Sequence, residues 1–126
     1  MKLTRILVAM SAVMFAGFGL LALFHPDRVL GMIHAQATDA TALNEVRAMQ
    51  GGFELGVATF LVACLRNRWS LRAGLFLTTA IFVAAAGGRA WSMMVDGMPD
   101  PLFVQIWIFE MVFAGVCLAA LAREHD

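Results

Sequence analysis

The sequence predicts an all-α integral membrane protein, a four-helix bundle that spans the bilayer. Of its 126 residues, 61% are hydrophobic and 14% are charged, whereas soluble domains average about 45 to 50% and about 25%. The mean hydropathy is +0.80. Four apolar runs are separated by short polar segments, and each has about the 20 residues that cross a hydrocarbon core of about 30 Å. We expect the whole chain to form one transmembrane domain.

The first helix is predicted over residues 6–24. Its basic start resembles a secretory signal, but the apolar run is too long and no small-residue cleavage site follows it. His25 and Pro26 end the helix, because the residue before a proline is pushed out of the helical conformation. Residues 25–44 then form an outer loop, in which the apolar side chains of 29–33 suit a short helix lying at the membrane interface.

The second helix is predicted over residues 45–65, with Thr41 or Asn44 as its cap. It ends at a basic loop, residues 66–72, that contains a tryptophan suited to the headgroup layer. The third helix is predicted over residues 71–94. Both helices are long enough to cross the membrane.

The fourth helix is predicted over residues 101–122, after a turn rich in aspartate, glycine and proline. Asp100 is its expected cap, and Pro101 suits the first helical position, where no amide hydrogen is needed. Four crossings place both termini on one side of the membrane. Six of the nine basic residues fall on that side, and since basic residues mark the cytoplasmic face, both termini should be cytoplasmic. These six are Lys2, Arg5, Arg66, Arg68, Arg72 and Arg123.

Charged side chains within three of the helices predict a site. Each costs roughly 2.5 to 3.5 kcal/mol in hydrocarbon, so each needs a partner. With a helix rise of about 1.5 Å per residue, Glu54, Arg89 and Glu110 fall at a similar depth. Arg47 and Gln50 share a helical face with Glu54. We expect these five residues to form a polar pocket open to the outer face, and the side chains of Ser92 and Trp107 to line it as well.

Two interpretations of this cluster stay open. In the first interpretation, the three charges form a buried ion network that fixes helix register. Alternatively, they line a pocket: two carboxylates share one internal arginine, so one of them keeps its proton or draws in Arg47. In that case Arg89 fixes the carboxylates and Glu54 exchanges a proton. Such a pocket could bind a proton, a cation or a polar headgroup.

No motif predicts catalysis, a metal site or a cofactor. Cys64 and Cys117 lie in apolar runs, as small core residues do, rather than in a disulfide framework. His25, Asp27 and His34 lack any recognised metal spacing. Neither a Ser-His-Asp set nor a nucleotide fingerprint is evident. An enzyme is therefore the less favoured class, and a net charge of zero without a large basic patch argues against nucleic acid.

Small residues recur every four positions on the third helix, a pattern that lets membrane helices approach closely. Packing within the chain is favoured over a dimer seam, although a homo-oligomer or another membrane protein as partner stays open. The recurring residues are Ala80, Ala84, Gly88 and Ser92.

Two motifs resemble the signatures of small bacterial membrane proteins grouped as domain of unknown function 4345. Glu45-Val-Arg-Ala-Met-Gln-Gly-Gly52 is similar to its E-x-R-A-x-x-G-G motif. Gly88-Arg-Ala-Trp-Ser92, followed by Asp96-Gly-Met-Pro99, is similar to its G-R-x-x-S and D-G-x-P motifs, and Glu110 falls where that family carries an acid. The resemblance covers nearly the whole chain. It implies a four-helix membrane bundle and no established activity.

We therefore expect a multi-pass protein of the bacterial inner membrane whose outer-facing pocket binds a small amphiphile or a proton. One alternative is an accessory subunit of a larger membrane complex, with a purely structural charge cluster. Another is a small proton-coupled transporter. The resemblance to such transporters is weaker, because they carry an acid in the first helix, whereas residues 6–24 of this chain contain no charge.

Overall fold

The computed structural model describes residues 1–124, and every regular element in this range is helical. Three of the helices are long and apolar enough to cross a membrane: Lys2–Phe24, Arg68–Asp96 and Pro101–Arg123. The elements in chain order are α1 (Lys2–Phe24), α2 (Pro26–Met32), α3 (Ala40–Val46), a π-helical turn (Arg47–Gly52), α4 (Phe53–Cys64), α5 (Arg68–Asp96) and α6 (Pro101–Arg123).

The outer loop contains more helix than the sequence predicts. Helix α1 extends to Lys2 at its start, and α2 follows it with Pro26 at the first helical position. The next helix begins at Ala40 instead of near 45. The predicted caps Thr41 and Asn44 are wrong, because the Asp39 carboxylate accepts a hydrogen bond from the Ala42 amide at 2.9 Å.

The second predicted span is continuous in direction but not in helix type. The π-helical turn inserts between α3 and α4, and its backbone angles at both ends remain helical. A π turn adds a residue to one turn and shifts the side chains that follow it around the axis. The face on which Glu54 lies therefore differs from the face that an uninterrupted α-helix would give it.

The caps of the last two helices differ from each other. Helix α5 begins at Arg68 rather than 71, because Asn67 accepts a hydrogen bond from the Ser70 amide at 2.9 Å. Asp100 occupies the cap position of α6, as predicted, but its side chain forms no cap hydrogen bond. Its carboxylate is bonded to His34 instead.

The helices pack as two antiparallel pairs, α1 with the π turn and α4, and α5 with α6. In the first pair, each helix caps the other: Arg5 Nη1 donates to Leu65 O at 2.7 Å, and Arg47 Nη1 donates to Leu23 O at 2.6 Å. Each guanidinium thus lies at the negative end of a neighbouring helix. Gly51 lets the pair approach closely, since a Cβ there would lie 3.1 Å from Leu23 Cα.

The small-residue expectation for α5 is wrong. Ala80, Ala84, Gly88 and Ser92 are exposed, and a Cβ added at Gly88 would meet no atom within 4 Å. Three of them, Ala84, Gly88 and Ser92, line a cavity and do not form a close helix contact. Close approach is instead provided by Gly51 and by Gly19, whose Cβ would lie 3.0 Å from Leu55 Cγ.

The core lies nearer one end of the molecule. We call the end with residues 1–5, 65–68 and 121–124 the termini end, and the opposite end the α2 end. Buried side chains that fill the termini half include Leu7, Val8, Leu61, Cys64, Leu71, Leu75, Cys117 and Ala120. An aromatic layer borders them, in which the rings of Phe82 and Phe113 lie 4.7 Å apart between centroids. The α2 half beyond this layer contains cavities.

Candidate functional site

The centre of the site is an ion pair between α5 and α6. Arg89 Nε lies 2.8 Å from Glu110 Oε2. The Glu110 side chain is only 9% exposed, whereas that of Arg89 is 36% exposed. Glu110 shares its helical face with the buried residues Phe113, Ala114 and Cys117, which directs its carboxylate inward. The equal depth of Arg89 and Glu110 expected from the helix rise agrees with this contact.

The Arg89 guanidinium is held from a second side by an aromatic ring. Its Cζ lies 5.8 Å from the ring centroid of Phe103, two turns before Glu110 on α6, within the range of a cation–π contact. Trp107 lies between them in sequence and donates from Nε1 to Ala86 O at 3.1 Å. Trp107 therefore fixes α6 against α5 beside the pair, and does not line either of the cavities described below.

Arg89 borders a cavity of about 380 Å³ at the α2 end, which we call the α2 cavity. This volume is within the usual range for small-molecule sites, about 300 to 1,000 Å³. Gln50 is the other polar residue in the wall, and the π-helical turn places it there. The apolar lining comes from α1, α2, α3 and α6: Phe18, Val29, Leu30, Met32, Ile33, Val46, Phe103 and Ile106.

A second cavity, of about 360 Å³, lies between α5 and α6 and also borders Arg89. Ser92, expected as a lining residue, lies here and not in the α2 cavity, and its hydroxyl donates to Asp96 Oδ2 at 3.0 Å. The remaining lining residues are small or apolar: Ala84, Ala85, Gly88, Met93, Pro99 and Phe103. Arg89 and Phe103 are therefore shared by the two cavities.

Arg47 is not brought to the ion pair. Its guanidinium donates to the Leu23 carbonyl at the end of α1, and the side chain is exposed. An arginine at that position satisfies a carbonyl that the helix end leaves without an intrahelical partner. Arg47 therefore joins α1 to the π-helical turn and does not neutralise a second carboxylate.

Glu54 does not join the ion pair either, so the expected contact of three charges is wrong. Within residues 1–124, Glu54 forms neither a hydrogen bond nor an ion pair. Its side chain is half-buried on the face of α4 that also carries Ala58 and Leu61. Equal depth was not sufficient for contact, because α4 packs on α1 and α5 instead of on α6.

Sequence reasoning does not predict a second pair of contacting residues at the α2 end, His34 and Asp100. His34 Nε2 lies 2.6 Å from Asp100 Oδ2, joining the segment after α2 to the start of α6. His34 is also the non-glycine residue with positive φ, 58°, in the left-handed region where histidine is relatively common. The two residues are 66 positions apart, and neither belongs to a motif. Together they tie α2, one wall of the cavity, to α6.

No group of three or more His, Cys, Asp or Glu side chains suited to a metal ion is found in the part of the chain that the structure describes. Cys64 and Cys117 are buried free thiols. The arrangement at the α2 end is therefore an apolar cavity with a guanidinium and an amide group in its wall.

Comparison with known proteins gives one match. The family model described as Domain of unknown function (DUF4345) matches residues 3–121, which include every residue of the site. No curated protein and no solved structure matches the chain.

Proposed function

Because this chain belongs to the family described as Domain of unknown function (DUF4345), which assigns no activity, we propose a function from geometry: the protein holds a small amphiphile in the α2 cavity. The observation that carries the proposal is the position of Arg89. Its guanidinium lies at the edge of a cavity with an otherwise largely apolar lining, and it is held there by Glu110 and Phe103. Apolar walls with a few fixed polar groups are typical of ligand sites.

The polar groups favour a headgroup that accepts hydrogen bonds. The Glu110 carboxylate accepts a hydrogen bond from Arg89 Nε. The two terminal nitrogens of Arg89 donate no hydrogen bond within residues 1–124. Arginine carries five N–H donors and no acceptor, so four of them remain for a ligand. The Gln50 amide adds two more donors. A carboxylate or another oxygen acceptor fits this set better than an ammonium group does.

We place the protein in the bacterial inner membrane as a multi-pass, four-helix bundle with cytoplasmic termini. Three helices have the length and hydropathy of membrane spans, and residues 40–64 supply a fourth helical segment of sufficient length. Large apolar side chains such as Phe76, Trp91 and Met94 are 64 to 73% exposed, as lipid-facing residues are. The basic residues at the termini end support the orientation.

Glu54 supports a second role for the site, exchange of a proton. A half-buried carboxyl group without an ion pair, on a helix that faces hydrocarbon, is costly to keep charged. Protonation coupled to ligand entry would remove this cost. The Glu54→Gln variant is a permanently neutral mimic, and it should bind the ligand with an affinity that no longer changes with pH.

An accessory subunit of a larger complex is the alternative supported by a specific observation. The exposed small residues Ala84 and Gly88 on α5 leave room for another helix. Purification as a stable lone monomer in mild detergent would count against this alternative. Binding of an amphiphile by that monomer would favour the proposed function.

The test uses three probes with one chain and different headgroups: dodecanoate, dodecanol and dodecylamine. Native mass spectrometry of the purified protein should give the highest occupancy with dodecanoate and the lowest with dodecylamine. The double variant Arg89→Gln/Glu110→Gln removes the guanidinium without leaving a buried carboxylate, and it should lose the preference for dodecanoate over dodecanol. The control Arg28→Gln, an exposed change at the same end, should retain it. Equal binding of all three probes by the wild type would contradict the proposal.

A further inference from the structure

The two cavities that border Arg89 have a common wall. Arg89 and Phe103 line both the α2 cavity and the cavity between α5 and α6, which we call the α5–α6 cavity. The Phe103 ring centroid lies 5.8 Å from Arg89 Cζ, so these two side chains form one contact. Every other lining residue belongs to one cavity or the other. The Arg89–Phe103 contact therefore separates two spaces of similar volume, about 380 and about 360 Å³.

The α5–α6 cavity opens to the outer surface of the helices. Its wall on α5 includes Ala84, Gly88 and Ser92, which are exposed. A Cβ added at Gly88 would meet no atom within 4 Å. Apart from Arg89, the polar group of this wall is the Ser92 hydroxyl, and it already donates to Asp96 Oδ2. The α5–α6 cavity is thus suited to an apolar group of a ligand.

At the common wall, Arg89 offers hydrogen-bond donors and not an unpaired charge. Its Nε donates to Glu110 Oε2 at 2.8 Å, and this ion pair is neutral as a whole. The two terminal nitrogens of Arg89 donate no hydrogen bond within residues 1–124, and they carry four N–H groups. A ligand group recognised here needs an oxygen acceptor, but it does not need a net charge. A carbonyl group meets this requirement.

We propose that the ligand of this site carries its acceptor group between two apolar arms, one lying in the α2 cavity and the other in the α5–α6 cavity. This inference rests on the proposed function and narrows its ligand class. A single chain with the acceptor at its end fills the α2 cavity and leaves the α5–α6 cavity without an occupant. An acceptor in the middle of a chain lies at the Arg89–Phe103 contact while both arms enter apolar surroundings, so no polar group of the ligand is left without a partner.

The test compares dodecan-6-one with dodecan-2-one, two isomers that differ only in the position of the carbonyl group. Dodecanoate is measured alongside them as the probe of the proposed function. Native mass spectrometry of the purified protein should show about tenfold stronger binding of dodecan-6-one than of dodecan-2-one. Gly88→Leu fills the α5–α6 cavity and should abolish this difference, while dodecanoate binding stays unchanged. Gly87→Leu, at an adjacent exposed glycine that has equally open space and does not line the cavity, should retain it.

Equal binding of the two ketones by the wild type, or binding of neither, would overturn the inference. So would an equal effect of Gly88→Leu and Gly87→Leu, because the α5–α6 cavity would then hold no arm of the ligand. If dodecanoate still binds in these cases, the proposed function stands, whereas a wild type that binds no dodecanoate contradicts the proposed function and this inference with it. If Gly88→Leu does not fold, the same measurement is made on Ala84→Leu, one turn earlier in the same wall, with Ala80→Leu, exposed but outside the cavity, as its control.

Discussion

Glu110 is a nearly buried carboxylate in apolar surroundings, and Arg89 is the residue that offsets the cost of its charge. Glu54 has no such partner among residues 1–124. The helix rise predicts similar depths for these two acids, yet one has an ion-pair partner and the other has none among residues 1–124. Neutralising each of them should therefore have opposite consequences for stability.

We expect Glu110→Gln to lower the free energy of unfolding by about 1.5 to 3 kcal/mol, the usual contribution of a hydrogen bond to a charged group. Arg89→Gln should be similarly destabilising, because it leaves the buried carboxylate unpaired. The double variant should recover part of the loss, because both charges are removed and none is left buried without a partner. Thermal unfolding of the wild type, the two single variants and the double variant in the same detergent measures these differences in stability. Strictly additive losses would show that the two residues are not coupled.

Glu54→Gln should leave stability unchanged or raise it, because it removes an unpaired, half-buried charge without breaking a contact. The same unfolding measurement applies, with Glu45→Gln, an exposed acid of the same segment, as the control. A large loss of stability for Glu54→Gln alone would reveal a stabilising contact and remove the argument for proton exchange at this position.

The depth of Arg89 and Glu110 could be predicted from the sequence, because depth depends only on helix rise and on the helix ends. The rotation of each helix about its axis could not be predicted. The π-helical turn at Arg47–Gly52 shifts the following face of α4, and nothing in the pattern of apolar residues marks such a turn. The sequence therefore does not predict which residues Glu54 faces. The same limitation explains why Arg47 was expected in the pocket and is found capping α1.

At the scale of elements, the contact between α1 and the π-helical turn depends on glycine. A Cβ at Gly51 would lie 3.1 Å from both Cα and N of Leu23, and backbone atoms of a packed helix cannot move aside easily. Gly56, on the same segment, faces open space. This contrast gives a matched pair of substitutions.

We expect Gly51→Ala to destabilise the protein by about 1 to 3 kcal/mol through overpacking. Gly56→Ala should be neutral, or stabilising by up to about 1 kcal/mol, because alanine is the better helix former. Denaturation of both variants beside the wild type measures the difference. Equal tolerance of the two changes would mean that α1 and the π-helical turn are not held in close contact.

The His34–Asp100 pair ties the segment after α2 to the start of α6. Both side chains are mostly exposed, so the pair adds little to global stability, at most about 1 kcal/mol. Its effect should be local. We expect Asp100→Asn to increase amide hydrogen exchange in residues 26–33 while the unfolding midpoint changes little. Asp27→Asn, an exposed acid on α2 itself, is the control and should leave that exchange rate unaltered. Unchanged exchange in Asp100→Asn would argue that the pair does not restrain α2.

For the whole molecule, composition was the most informative part of the sequence. The all-helical fold and the membrane-length helices α1, α5 and α6 follow from apolar run length, because a helix in hydrocarbon must satisfy its own backbone. The unequal packing of the two halves could not be predicted. The buried core lies in the termini half, whereas the two cavities that border Arg89 lie in the α2 half.

Orientation is also a property of the whole molecule. The proposed orientation has the basic termini end in the cytoplasm. It predicts that a green fluorescent protein fused after the last residue is fluorescent and that alkaline phosphatase fused after Met98 is active. The reverse fusions serve as controls: alkaline phosphatase after the last residue should be inactive, and green fluorescent protein after Met98 should not fluoresce. Active phosphatase at the C-terminus would reverse the assigned orientation.

The most direct test of the amphiphile proposal is to fill the α2 cavity. Ile106 lines that cavity, whereas Ile108, on the same helix, is 52% exposed on the outer surface. Dodecanoate binding to Ile106→Trp and Ile108→Trp should be measured by native mass spectrometry beside the wild type. We expect Ile106→Trp to lose binding by at least about tenfold, equivalent to 1.4 kcal/mol, and Ile108→Trp to bind as the wild type does. Equal binding by both variants would place the ligand elsewhere and contradict the assignment of the α2 cavity.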